Sequence, residues 1–137
     1  MQDYRKLKVW QKAHAMTLLV YRVTETLPRA ERSGMRSQIR RCAASVSANI
    51  AEGCGRDSAK DLARFLQISL ASVAELEYHA LLARDLGYLG PVDHARVAER
   101  VTQVRAMLYA LIRRVRENVA RQNVAKSPGH RVAKSLQ

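Results

Sequence analysis

The stretch PVDHARVAERVTQVRAMLYALIRRV, residues 91–115, decides the fold. Its apolar residues Val97, Val101, Val104, Leu108, Leu111 and Val115 recur at alternating spacings of four and three, which lines them up along one side of an α-helix. Pro91 suits a first helical turn, where the missing N–H has no partner to lose, and Asp93 complements the positive end of the helix dipole. Three further stripes lie upstream. The first is Val9, Ala13, Met16, Val20, Val23 and Leu27, stopped by Pro28, which cannot continue the hydrogen-bond ladder. The second is Met35, Ile39, Cys42, Val46 and Ile50, with Ser33 as its expected N-cap and Gly53 and Gly55 as its expected stop. The third opens on Ser58-Ala-Lys-Asp61, a capping-box-like start, and runs Leu62, Leu66, Ser69, Val73, Leu76, Ala80 and Ala83 to Gly87. A second apolar row on it, Phe65, Ile68, Leu82 and Leu86, is expected to widen the buried face.

No run alternates with period two, so no sheet is expected. Helices of roughly 20–28 residues span about 30–40 Å, and short connections make neighbours antiparallel. The predicted fold is all-α: an up-down-up-down antiparallel four-helix bundle over residues 3–120, followed by a basic, flexible C-terminal tail at 121–137.

The 137 residues leave room for one domain, and a hydrophobic share of 47% gives it a core. The longest stretches without a charge, Cys42–Ala51 and Phe65–Ala74, are too short to span a membrane, which takes about 20 apolar residues. The N-terminus lacks the apolar core of a signal peptide, so a cytoplasmic location is expected, with Cys42 and Cys54 as reduced thiols. The balance of 24 Lys and Arg against 12 Asp and Glu leaves a net charge of +12, which points to a polyanionic partner.

The segment SQIRRCAASVSANIAEGCGR, residues 37–56, resembles the signature of the bacterial four-helix-bundle proteins encoded in intervening sequences of 23S ribosomal RNA genes. LKVWQKA at 7–13 matches the opening of that family, and FLQISLASVAELE at 65–77 with LLARDLGYL at 81–89 matches its third helix. Ser47 stands where the family usually has proline and Cys54 where an aromatic is frequent, so the second helix is expected to pass Ser47 without a kink. The resemblance implies a four-helix bundle. It also implies likeness to the accessory protein of diversity-generating retroelements, a basic homopentamer that binds nucleic acid and partners a reverse transcriptase. Most members of the family have no assigned activity.

Within the signature, Asn49 and Glu52 share a helix face beside Gly53, and a structural role is expected for all three. Glu52, near a helix C-terminus, needs a compensating cation, for which Arg56 and Arg40 are nearest in sequence. Glu75 and His79 lie four apart, but no Glu-x-x-His occurs and the first and fourth stripes are apolar, so neither a metal nor any other cofactor is expected. No Arg precedes a His by four to six residues, which argues against a helical ribonuclease of the HEPN type, and His14 has no carboxylate at matching spacing. The protein is read as non-enzymatic.

The cations carry the functional content. Lys8 and Lys12 share a face, as do Arg36 and Arg40, with Arg41 beside them; Arg56, Lys60 and Arg64 form a row, and Arg113 and Arg114 crowd the end of the fourth helix. These ten are the candidate nucleic-acid contacts, through phosphate neutralisation and counterion release. Aromatic residues look too few for a stacking platform, and Trp10 and Tyr21 fit helix packing. The expected function is binding of the RNA or DNA backbone, as an accessory protein that forms a homo-oligomer. The alternative is an oligomeric scaffold for an acidic protein partner.

Overall fold

Each apolar stripe becomes a helix: α1 Lys8–Val23, α2 Met35–Cys54, α3 Ala59–Asp85 and α4 Pro91–Ala125, with short 3-10 turns at Tyr4–Lys6 and Arg29–Glu31. The computed structural model describes residues 2–125, and among them there is no strand. The helices pack in chain order around a ring, α1 on α2, α2 on α3, α3 on α4 and α4 back on α1. The up-down-up-down four-helix bundle follows from that order and from the α2–α3 and α3–α4 connections, residues 55–58 and 86–90, which are too short to cross the bundle. Met16, Ile39, Ile50, Leu66, Leu76 and Leu108 are fully buried at its centre. Each such side chain contributes about 1.5–3 kcal/mol by leaving water.

Several helix ends differ from the sequence expectation. α1 stops before Pro28: Thr24 takes the cap position, its hydroxyl donating to Val20 O at 2.7 Å, and Leu27 reaches the core from the turn beyond. Ser33 does not cap α2. Gly34 is the N-cap residue, and Glu31 reaches over it so that Oε2 accepts from Met35 N at 3.2 Å. That carboxylate also favours the positive end of the helix dipole. Gly53 is no stop either. α2 runs through it to Cys54, and Gly55 caps in ordinary right-handed geometry at φ −85°. Gly53 is instead the point of closest approach between two helices: a Cβ there would lie 3.0 Å from Leu62 Cδ1 and 3.0 Å from Phe65 Cβ.

Other ends are as the sequence predicted. Ser58 caps α3 by accepting from Asp61 N at 3.1 Å. Gly87, at φ 78°, closes the far end: its N–H donates to Arg84 O and that of Tyr88 to Ala83 O, both at 2.9 Å. α2 is continuous through Ser47, as expected without a proline.

Along α4 the buried line is Val97, Val101, Val104, Leu108, Ile112 and Val115, with Ile112 in place of Leu111. A strict four-three alternation has period 3.5, and a straight helix drifts from it by about 20° per heptad, so the buried position moves on one residue. The segment read as a tail starts inside this helix. Arg121–Ala125 continue α4, and 126–137 lie outside the described residues. The second apolar row of α3 is not a buried face. Phe65 and Leu82 are half-buried, while Ile68 and Leu86 are exposed.

A polar layer runs through the middle of the bundle. Thr17 donates to Ala13 O at 2.9 Å and lies 3.1 Å from Ala43 O, with Ser47 Oγ at 3.3 Å. Ser69 donates to Val46 O at 2.8 Å, and Ser45 and Ser72 share a hydrogen bond of 2.8 Å. Small residues let α2 and α3 close up, and the hydroxyls find carbonyls, so no buried side-chain nitrogen or oxygen lacks a partner among the described residues.

Candidate nucleic-acid interface

The signature residues Asn49, Glu52 and Gly53 all make contacts within the chain. Asn49 Nδ2 donates back along α2 to Ser45 O at 2.8 Å and to Ser45 Oγ at 3.0 Å. Of the two arginines nearest in sequence, Arg56 pairs with Glu52, at 2.9 Å. Gly53 admits α3.

The candidate cations fall into two groups at opposite ends of the bundle. Arg36, Arg40 and Arg41 sit where the start of α2 meets the end of α1, and they line a groove of about 620 Å³ together with Arg32, Tyr21, Ser37, Ala44, Ser45 and Ala48. Arg40 is committed within the protein. Its Nε donates to Thr24 Oγ1 at 2.9 Å, and its Nη2 to Tyr21 O at 2.9 Å and to Glu25 Oε2 at 3.0 Å. With 16% of its side chain exposed, it stitches the end of α1 to α2. The hydrogen bond from Arg40, with the charges of Arg36 and Arg40, holds the Glu25 carboxyl below its usual range. Arg36 and Arg41 make no ion pair among the described residues, and Arg41 contacts only Ser37 Oγ, at 3.4 Å, through a side-chain hydrogen bond.

The second group surrounds the α2–α3 turn and the ends of α1 and α4. Arg56 and Arg64 lie over the ring of Phe65, at 4.7 and 4.5 Å from its centroid, and each pairs locally, Arg64 with Asp61 at 3.5 Å. Lys60 between them is exposed and unpaired among the described residues. Lys8 and Arg114 share a hollow between α1 and α4 with Lys6, over an apolar floor of Leu7, Met107 and Leu111. Arg113 points to the other side of α4, into a hollow with Gln67, Tyr109 and Arg116. Lys12 is exposed one turn along α1 from Lys8. The structure therefore unites Arg36 with Arg41 and Lys8 with Arg114, and separates Arg113 from its neighbour in sequence.

Sequence reasoning passed over Arg32, and it gave Tyr21 a packing role. Tyr21 is 43% exposed and stands in the basic groove, with the Arg40 guanidinium 4.6 Å from its ring centroid. Trp10 is partly buried against the core, as expected, yet it stacks on exposed His14 at 4.9 Å and 8° between ring planes. The clue was present in the spacing: Trp10, His14 and Tyr21 recur at four and seven, on one edge of α1.

Reactive chemistry is sparse. Among the described residues no group of three His, Cys, Asp or Glu could hold a metal. Cys42 and Cys54 are buried and free. Burial, then the hydrogen bond to Glu75 Oε2 at 3.5 Å, pushes the Cys42 thiol up to about 11. Burial also raises Cys54. Both are held as neutral thiols, the unreactive form. No helix among the described residues is long and apolar enough to cross a membrane.

No curated protein matches the chain. Among solved structures, a protein of unknown function from the S23 ribosomal protein family of Bacteroides thetaiotaomicron VPI-5482 superposes with a TM-score of 0.70 at 24% identity, covering 76% of this chain and 97% of its own. That likeness concerns the fold. The profile of the family described as 23S rRNA-intervening sequence protein matches residues 5–110, which span all of α1, α2 and α3 and most of α4. The chain belongs to the family of 23S rRNA-intervening sequence proteins.

Proposed function

We propose that the protein is a non-enzymatic nucleic-acid-binding protein, cytoplasmic and homo-oligomeric, which grips the backbone of RNA or DNA. One observation carries the reading. After the ion pairs of the bundle are formed, Lys8, Lys12, Arg36, Arg41, Lys60, Arg113 and Arg114 remain without an acidic partner within 4.0 Å among the described residues. Unpaired cations at both ends of a rod-like bundle neutralise phosphates by releasing counterions, which binds without regard to sequence. A role beside a reverse transcriptase, as for the retroelement accessory protein, belongs to the same reading.

Self-association has its own support. Residues 65–83 of α3 contain no lysine or arginine, and Ile68, Tyr78 and Leu81 are exposed along that helix. This exposed side, whose only charges are Glu75 and Glu77, suits a second copy of the chain, and a ring of five copies would multiply the cationic contacts. The alternative, a scaffold for an acidic protein, is favoured by the Lys6, Lys8 and Arg114 hollow, whose apolar floor fits an acidic amphipathic segment.

Titration of labelled random-sequence RNA and DNA across a salt series tests the main reading. The expected result is affinity that falls steeply with salt and varies little with sequence; no binding at low salt refutes it. Light scattering is expected to give the mass of five chains, and a monomeric mass refutes the assembly.

A further inference from the structure

Resting on the nucleic-acid reading, we propose that the preferred ligand is a single strand, lying in the groove between α1 and α2 with bases stacked on Tyr21 and Tyr4 and phosphates held by the arginines of α2. The groove exists because the outward row of α2, apart from Arg41, is made of small residues. Ser37, Ala44, Ser45, Ala48, Ala51 and Gly55 succeed one another along it. The basic hollow at the start of α2 continues past Ala48 into a second hollow of about 520 Å³, bounded by Tyr4, Ala51, Glu52, Gly55 and Arg56. From Ser37 to Gly55 the channel is about 27 Å long at 1.5 Å per residue, room for roughly eight nucleotides at a stacked rise of 3.4 Å.

One aromatic residue lines each hollow, Tyr21 of α1 in the upper and Tyr4 of the preceding 3-10 turn in the lower. Arg40, which three hydrogen bonds hold in place, packs its guanidinium against the Tyr21 ring at 4.6 Å from the centroid. Tyr4 lines the lower hollow; behind it Trp10 meets Tyr4 edge-on at 5.0 Å and stacks on exposed His14, one turn further along α1. The α2 wall supplies charge: Arg36 and Arg41 are unpaired among the described residues, and the one carboxylate lining the lower hollow, Glu52, is neutralised by Arg56. Exposed rings beside unpaired guanidinium groups are the two components of single-strand recognition, since only unpaired bases present a face to stack. A duplex would engage the arginines and leave the rings idle. The Lys6, Lys8 and Arg114 hollow contains no aromatic residue and lacks this preference.

The test compares a labelled oligothymidylate of twelve nucleotides with a mixed-sequence duplex of twenty base pairs, by fluorescence anisotropy at one low salt concentration. The wild-type protein is expected to bind the single strand more tightly. Tyr21→Ala should weaken single-strand binding about tenfold, the effect of one lost stacking contact, and change duplex binding less than twofold. Tyr21→Phe should retain the wild-type affinity because the ring, not the hydroxyl, stacks. Arg41→Ala should weaken both ligands. Circular dichroism of each variant shows that the bundle is intact. Unchanged single-strand affinity in Tyr21→Ala overturns the groove proposal while leaving backbone binding standing; absence of binding to either ligand removes both. A fall in oligomeric mass in Tyr21→Ala with strand affinity intact also overturns it, by assigning the groove to a second copy of the chain.

Discussion

Replacing Gly53 with alanine is expected to destabilise the bundle by about 1 kcal/mol, against the helix propensity of the two residues. In a helix interior alanine is better than glycine by about 0.8–1.0 kcal/mol, and the gain is smaller at the penultimate position of α2. Against it stands the new methyl group, 3.0 Å from Leu62 Cδ1, 3.0 Å from Phe65 Cβ and 3.4 Å from Leu62 O. The Leu62 methyl can rotate away. The Phe65 Cβ and the Leu62 carbonyl are part of, or next to, the α3 backbone, so α2 and α3 must separate by a few tenths of an ångström. Overpacking of this kind costs about 1–3 kcal/mol, which outweighs the propensity. Urea unfolding followed by far-ultraviolet circular dichroism measures the change, which corresponds to a melting temperature lower by roughly 3–5 °C in a domain of this size. Two other glycines serve as controls. Gly55→Ala should be neutral or slightly stabilising, because its Cβ would be no closer than 3.5 Å to any neighbour and φ is −85°. Gly87→Ala should lose about 1–2 kcal/mol with no clash at all, from the left-handed backbone alone. A Gly53→Ala protein as stable as the wild type would refute the close approach of α2 and α3 at this residue.

Val104→Asp should abolish cooperative folding, since it places an unpaired carboxylate at a fully buried site; a folded variant by circular dichroism would show that this stripe faces water. Stability should decline from about pH 9 towards pH 11, because the Cys42 thiol, pushed up to about 11 in the folded protein from an ordinary 9.0, is less easily ionised there than in the unfolded chain. Its contribution is complete below pH 9 and is lost as the pH rises through the folded value. Urea midpoints measured over that range should fall less steeply for Cys42→Ala, and identical slopes would refute the linkage.

The helices, their approximate limits and their antiparallel order were legible in the sequence because each depends on local chemistry: a repeating apolar stripe, a serine cap at Ser58, a left-handed glycine at Gly87, and short connections after the second and third helices. The excess of cations was equally plain. Three-dimensional packing decided the rest. Gly53 reads as a helix stop until α3 is seen against it, and Arg40 reads as a surface cation until Thr24 and Glu25 are seen to claim it. Tyr21 and the arginines of α2 meet only after the turn at 24–34 folds the second helix back along the first. Composition and periodicity fix which side of a helix is wet; which wet residues become neighbours depends on the register between helices, set by contacts as small as a missing Cβ and a buried hydroxyl.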